Sequence, residues 1–404
     1  MRHSTRRGFL TAAASVTAIA ALTLTGCASG TPAPSPTQTS GGETGDPTTP
    51  AFEPLTEIKL QLQWLPQAQF AGYFVAQELG YFEEEGFTSV EIVPSGGDIV
   101  PQDALIAGDV DFAIAWVPKV LGTIEATGTE LTDIAQIFQR SGTLQVSWAD
   151  TPIKSVKEFE GKRIGSWGFG NEWEIFAAMA KEGLDSTTVS ITTQDFSMNA
   201  LLNRDVDAAQ AMTYNELAQV LETMNPQTGK LYTLDDLAIV YYEDTEGAML
   251  QDAIWADTAR LEEDPAYADA AVRFLKAVVK GWIYARDNVE EAAQIVWDVA
   301  SSAPAAFPVG PVHQLWMANE TNKLIWPADS GIGVVDAAAW DRTVAGALEA
   351  VNQDGLHLIT QEPPASAYSN EYIEQALDAL EAEGFDVYGK GYKPIEVTLT
   401  EGGQ

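Results

Sequence analysis

Alternating apolar and polar residues mark the start of the folded part of the chain. Between Ile58 and Trp64 every second residue is apolar, and lysine or glutamine stands between them. This period of two predicts a half-buried strand, which Pro66 ends. The residues from Gly72 to Glu78 then predict a helix that stops at Gly80. A strand that delivers a tryptophan to a loop just before a helix is typical of one wall of a ligand site in an α/β sheet.

Strand and helix patterns alternate in this way as far as Asp244. The predicted strands are Ile58–Trp64, Ser89–Pro94, Asp111–Trp116, Ile134–Phe138, Arg163–Trp167, Val189–Thr193, Asp207–Thr213 and Ile239–Tyr242. The predicted helices are Ala71–Leu79, Pro101–Ala107, Val117–Ala126, Glu172–Glu182, Ser197–Asn203 and Glu216–Met224. This alternation predicts parallel sheets that carry helices on both faces.

The pattern restarts once, which indicates two lobes. Leu144–Trp148 predicts a strand that crosses from the first lobe to the second, and a return crossing lies near Met249–Trp255. We therefore expect lobe I to comprise residues 55–148 and 250–404, and lobe II residues 149–249. Two crossings form a hinge with a cleft that can close on a ligand.

The C-terminal part of the chain has a helical pattern. The predicted helices are Ala266–Arg286, Val289–Val299, Ala337–Val351 and Glu371–Glu383, with breaks rich in glycine and proline at Ala303–Pro311 and Trp326–Gly333. We expect these helices to pack back onto lobe I.

The first 26 residues are typical of an export signal. Arg6-Arg7 resembles a twin-arginine signal, although the general secretory route remains an alternative. The apolar run that follows is too short for a bilayer, which needs about 20 residues. It ends at Leu24-Thr25-Gly26-Cys27, which resembles the lipobox of bacterial lipoproteins, and Cys27 is the only cysteine. The sequence thus predicts a signal peptide over 1–26, lipidation at Cys27, a flexible linker over 27–54, and a lipid anchor on the extracytoplasmic face of the cell membrane.

Composition excludes several classes of function. The chain has 58 acidic residues against 22 basic ones, a net charge of −36 at pH 7. Such a surface repels nucleic acid, so we expect no nucleic-acid partner. The three histidines stand in no metal-like cluster, and the strand ends offer no Ser/His/Asp or Cys/His constellation. The sequence predicts a monomer that binds a small molecule, with no metal site, no cofactor and no catalytic residue.

Aromatic residues stand at four predicted strand ends. Trp64, Trp116 and Trp167 each end a strand, and Tyr214 follows another. Ligands of open α/β sheets lie beyond the carboxyl ends of the strands, so these side chains can form facing walls around a flat ring. The alternative for each tryptophan is a place in the core.

Polar residues follow the same strand ends. They are Gln69, Asn171, Glu172, Asn215 and Glu216. The turn at Gly97-Asp98, after the strand Ser89–Pro94, offers free backbone N–H groups near the next helix start. Amides and carboxylates at these positions can read ring nitrogens and amino groups. For Glu172 and Glu216 the alternative is to cap the helices that they begin, and for Gly97-Asp98 it is a simple turn.

Several motifs together resemble a known family. They are the segment from Trp64 to Phe87, Ser95-Gly96-Gly97, Ala107–Phe112, Phe159–Gly165 and Ala211–Glu216. These resemble the periplasmic-binding family that includes receptors for thiamine pyrimidine precursors, with nitrate, sulfonate and taurine receptors as more distant relatives. The resemblance implies a type II periplasmic-binding-protein fold, with two doubly wound lobes, a hinge and a helical C-terminal region. It also implies a non-enzymatic receptor that delivers its ligand to an ABC permease.

The resemblance places Trp64, Phe70 and Tyr73 in the segment that lines the pyrimidine pocket. Relatives often have histidine where Phe70 stands. The pyrimidine synthase of the same fold also uses a cysteine-rich loop, which this chain lacks. The expected ligand is a small aromatic nitrogen heterocycle such as a thiamine pyrimidine precursor. A flavin is the first alternative, and sulfonate, taurine or nitrate is less favoured because the candidate residues include no Lys or Arg. The alternative of another class is a pyrimidine-synthase-like enzyme.

Overall fold

The computed structural model describes residues 52–96, 99–302 and 310–404. The predicted signal peptide, Cys27, nearly all of the linker, and both Gly97 and Asp98 lie outside the described residues. They remain predictions.

Each strand predicted from the alternating pattern is present, with bounds shifted by a few residues. The strands are β1 Glu57–Gln61, β2 Ser89–Val93, β3 Phe112–Trp116, β4 Leu131–Gln136, β5 Thr143–Trp148, β6 Arg163–Ser166, β7 Ser190–Thr193, β8 Ala209–Met212, β9 Met224–Asn225, β10 Lys230–Leu231, β11 Leu237–Tyr241 and β12 Asp252–Asp257.

Each predicted helix is also present. The helices are α1 Ala71–Glu78, α2 Tyr81–Glu84, α3 Pro101–Ile106, α4 Val117–Thr127, α5 Trp173–Lys181, α6 Asn199–Leu202, α7 Glu216–Leu221, α8 Thr258–Glu263, α9 Pro265–Asp287, α10 Val289–Ser302, α11 Pro311–Ile325, α12 Ala337–Glu349 and α13 Glu371–Glu383. The pattern did not predict α11, because polar residues such as His313, Gln314 and Asn322 are buried in it and leave no apolar stripe to recognise.

One five-stranded sheet, called here the first sheet, has the order β2-β1-β3-β12-β4. Strand β1 is parallel to β2 and β3, whereas β12 is antiparallel to both β3 and β4. The expectation of purely parallel sheets is therefore wrong at β12. This strand lies where the return crossing is predicted, and it runs opposite to both of its neighbours.

A second group of strands lies between β4 and β12 in the chain. Strands β11-β5-β8 form an antiparallel sheet, and β6 and β7 form a parallel pair that reaches β8 through a single bridge between Ile164 and Ala208. Strand β5, which the sequence places at the end of lobe I, thus pairs with strands of this second group. By its contacts the chain from Pro50 to Gln404 is one unit, and the division into two lobes remains a prediction.

Helices α1 and α9 pack closely against each other, and one glycine in each helix permits this close approach. A Cβ on Gly281 would lie 2.0 Å from the carbonyl oxygen of Gly72, and one on Gly72 would lie 2.3 Å from the Trp282 ring. Tyr73 belongs to this contact, since it is buried and meets Trp282 edge-on at 5.8 Å between ring centroids. Phe70 is buried in the same core cluster.

Within the described ranges no helix is both long and apolar enough to cross a membrane.

Candidate ligand-binding site

The four aromatic strand ends meet around one cavity of about 690 Å³. Trp64 comes three residues after β1, Trp116 ends β3, and Trp167 and Tyr214 follow β6 and β8. The first two extend from the first sheet and the other two from the second group. The carboxyl ends of both sets of strands therefore open into the same space, as the rule for α/β sheets predicts.

Most of the predicted polar residues lie at the same cavity. Gln69, Asn171, Asn215 and Glu216 line it. Glu172 does not, and its side chain makes no capping hydrogen bond to α5. As ligand contacts, all of these residues remain predictions.

Phe70 and Tyr73 depart from the expectation. Neither lines the cavity, because the short helix Ala68–Phe70 and the first turn of α1 bury both rings in the core, where Tyr73 contacts Trp282 of α9. Gly97 and Asp98 lie outside the described residues, but their neighbours Gly96 and Ile99 line the cavity.

Sequence reasoning missed several lining residues. They include Gln63, Gln102, Asp103, Lys119, Phe169, Trp173 and Phe196. Phe196 could have been found, because it follows β7 just as the other aromatic residues follow their strands. It links two walls of the cavity, with its ring centroid 4.5 Å from that of Trp64 and 6.4 Å from that of Trp167.

A buried carboxyl group fixes two of the cavity residues from behind. Asp252, the first residue of β12, accepts hydrogen bonds at Oδ1 from Trp116 Nε1 at 2.7 Å and from Gln63 Nε2 at 2.6 Å. Its Oδ2 has no hydrogen-bond partner among the described residues. Burial raises the pKa of Asp252 to about 7, although the two hydrogen bonds and nearby Lys119 act to lower it. The carboxyl group that holds the Trp116 ring in place therefore has a pKa near neutrality.

Lys119, in the first turn of α4, places a cation in the site. The sequence pattern did not predict this cation. Its Nζ donates to Asn171 Oδ1 at 2.8 Å and lies 4.9 Å from the centre of the Trp116 ring. Burial lowers its pKa to about 8, against the opposing effect of Glu172 and Asp252. Because acidic groups already face this ammonium, it offers little net positive charge to an anionic ligand.

An amide network holds the loop between β6 and α5. Gln210 accepts at Oε1 from Ser166 Oγ at 2.9 Å and from the Trp167 backbone N–H at 3.2 Å, and it donates from Nε2 to the Asn171 carbonyl at 2.7 Å. Trp167 is buried, and its Nε1–H finds no acceptor in the described part of the chain. A buried N–H without a partner is costly, so this loop holds the Trp167 ring at the expense of one hydrogen bond.

A second network orients Asn215. Its Oδ1 lies 3.0 Å from His313 Nε2, and its Nδ2 donates to Glu216 Oε1 at 3.0 Å. His313 Nδ1 lies in turn 2.9 Å from Glu222 Oε2. Burial raises the pKa of Glu216 to about 7. His313 comes from α11, the helix that the pattern did not reveal, and the sequence therefore gave no signal for this contact.

The arrangement suits the binding of a flat polar ring. Tryptophan, tyrosine and phenylalanine faces offer stacking, and the polar residues Gln69, Asn171 and Asn215 line the same cavity. Among the described residues no group of three or more His, Cys, Asp or Glu side chains could hold a metal ion.

Comparison with known proteins identifies the family. The family model described as NMT1/THI5 like matches residues 67–292, more than half of the chain. The chain belongs to the NMT1/THI5-like family. This confirms the resemblance inferred from the motifs.

Two curated relatives of this family member carry names that mention a ligand. The riboflavin-binding protein of Chloroflexus aurantiacus is 24% identical over 87% of this chain and 95% of its own length. The formylaminopyrimidine-binding protein of Halalkalibacterium halodurans is 22% identical over 72% of this chain and 85% of its own.

The fold agrees with a solved structure. The periplasmic aliphatic sulphonate-binding protein of Escherichia coli superposes with a TM-score of 0.53 at 15% identity, over 73% of this chain and 91% of that one. At that identity the likeness shows the fold alone, and it confirms the predicted periplasmic-binding-protein fold.

Proposed function

We propose that this family member is the extracytoplasmic solute-binding receptor of an ABC importer and that it captures a flat aromatic nitrogen heterocycle in the cavity. The observation that carries the proposal is the meeting of Trp64, Trp116, Trp167 and Tyr214 around one cavity, two from each set of strands. Stacking of a ring between aromatic faces contributes about 0.5–1.5 kcal/mol per pair beyond the area buried. The names of the two curated relatives support a heterocyclic ligand.

Thiamine pyrimidine precursors and riboflavin are the two candidate ligands. A pyrimidine needs only one pair of aromatic walls, whereas a cavity of about 690 Å³ has room for the three fused rings and the side chain of a flavin. The relative that aligns over 87% of this chain and 95% of its own length is named for riboflavin. We therefore place riboflavin first in the test.

An anionic ligand such as a sulfonate fits less well. Lys119 is the cation that lines the cavity in the described residues, and Glu172 and Asp252 already act on it. An aromatic nitrogen heterocycle therefore remains favoured over sulfonate, taurine or nitrate in spite of this lysine.

Calorimetric titration of the purified mature protein tests the proposal. The panel is riboflavin, hydroxymethylpyrimidine, formylaminopyrimidine and taurine. We expect micromolar or tighter binding of one heterocycle and none of taurine. Binding of taurine alone would refute the heterocycle, and turnover of a bound heterocycle would favour the alternative of a pyrimidine-synthase-like enzyme.

A lipid anchor would keep the receptor close to a permease in the membrane. We propose that Cys27 carries the lipid anchor and that the folded part acts as a monomer. Mass spectrometry of the membrane fraction tests the first point, because diacylation adds a defined mass that Cys27→Ala abolishes.

A further inference from the structure

The loop that follows β6 has an unusual backbone at the edge of the cavity. Gly168, Phe169 and Gly170 have φ angles of 73°, 55° and 85°, so three successive residues are left-handed. Glycine adopts this region readily, but a phenylalanine there is uncommon and strained. Such strain persists only where the surrounding structure imposes it, and it concentrates at ligand sites.

The contacts of this loop show what imposes the strain. Asn171 Nδ2 donates back to the Gly168 carbonyl at 2.7 Å, and the Asn171 carbonyl accepts from Gln210 Nε2 at 2.7 Å. On the other side, Lys119 Nζ bonds Asn171 Oδ1 at 2.8 Å. A Cβ on Gly170 would lie 3.3 Å from Lys119 Cγ. The base of the loop is therefore bound both to α4 and to the second group of strands.

This rigid base presents the Phe169 ring to the opening of the cavity. Phe169 lines the cavity, yet its side chain is 85% exposed, more than any other large apolar side chain among the described residues. The neighbouring Trp167 is 4% exposed. An exposed apolar ring that lines a cavity and stands on a constrained backbone is placed to contact what enters that cavity.

We infer that Phe169 is a ligand-contacting residue that covers the bound ring. The inference rests on the proposed function and makes it more specific. The ligand would have a flat face that is apolar enough to bury Phe169, and a saturated anion such as taurine has no such face.

Titration of three variants with riboflavin and with the two pyrimidines tests this inference. Phe169→Ala should weaken binding of the heterocycle that wild type binds by about tenfold, because a stacked ring and its buried area are lost. Its melting temperature should stay within a degree of wild type, since Phe169 is exposed. Leu234→Ala, which removes another exposed apolar side chain outside the cavity lining, is the matched control and should bind like wild type.

Phe169→Trp gives a second readout that does not depend on affinity. Its emission, taken as the difference from wild type, should shift to shorter wavelength when the ligand covers the ring. Binding of Phe169→Ala within twofold of wild type, together with an unshifted Phe169→Trp emission, would overturn the inference and leave the proposed function intact. If wild type and Leu234→Ala bind none of the heterocycles, the proposed function fails and this inference fails with it.

Discussion

The burial of Asp252 should make the stability of the protein depend on pH, which can be measured. Its side chain is 2% exposed, and burial raises the pKa of its carboxyl from 3.8 to about 7 even though Trp116 and Gln63 donate hydrogen bonds to it. In the unfolded chain the same carboxyl titrates near its ordinary value. The folded protein therefore holds this proton more tightly, and stability should fall as the pH rises from about 4 to about 7.

The size of the effect follows from the two pKa values. The difference between 3.8 and about 7 corresponds to about 4 kcal/mol of unfolding free energy. Burial raises the pKa values of Glu174 and Glu216 to about 7 as well, so wild type should lose stability through all three groups.

Asp252→Asn removes one of these contributions. The asparagine oxygen can still accept from Trp116 and Gln63, and its nitrogen takes the place of Oδ2, which has no partner in the described ranges. That unpaired nitrogen should lower stability by about 1–3 kcal/mol at every pH. We therefore expect the variant to be less stable than wild type at about pH 4.5 and to improve relative to it by up to about 4 kcal/mol by pH 8.

Urea denaturation followed by tryptophan fluorescence, at intervals between about pH 4.5 and pH 8.5, measures this directly. Asp329→Asn is the control, because Asp329 is exposed and its replacement should leave the pH dependence unchanged. The reasoning is refuted if the difference between wild type and Asp252→Asn stays constant over the whole range.

Three further substitutions test other parts of the structure. Trp64→Ala should weaken heterocycle binding about tenfold in calorimetry, because one stacking face is lost, and an unchanged Kd would contradict that role. Gly281→Ala should lower the unfolding free energy by about 3 kcal/mol or more in urea denaturation, because its Cβ would lie 2.0 Å from the backbone of Gly72; wild-type stability would refute that close contact. His313→Ala should cost about 2–4 kcal/mol, because it removes the ring that bonds both Asn215 Oδ1 and the buried carboxyl group of Glu222, and His313→Gln should recover part of the loss; equal losses would contradict the hydrogen-bonded role.

Much of the fold could be predicted from local patterns. The strands and most of the helices follow the apolar period, since each needs one face in the core. Helix α11 escaped prediction because its buried positions include His313 and Gln314, which bond with Asn215 and the Ala68 backbone N–H. The antiparallel course of β12 depends on how the chain returns to the first sheet from the second group of strands, which no local pattern records.

Some residues of the candidate site could likewise be predicted from the sequence, and others could not. The aromatic strand ends are brought together by a rule of topology, so Trp64, Trp116, Trp167 and Tyr214 could be named in advance. Phe70 and Tyr73 could not be judged, because only the packing of α1 on α9 decides that they face the core.

The sequence by itself determined the class of protein, the order of its elements and the aromatic character of its site, because periodicity and motifs are properties of neighbouring residues. Tertiary structure alone decided which polar groups meet those aromatic rings. Asp252 reaches Trp116 across 136 residues, and Lys119 reaches Asn171 across 52. Such contacts between distant residues depend on how the sheets and helices pack, and they set the charge, the pKa values and the strained loop of the cavity.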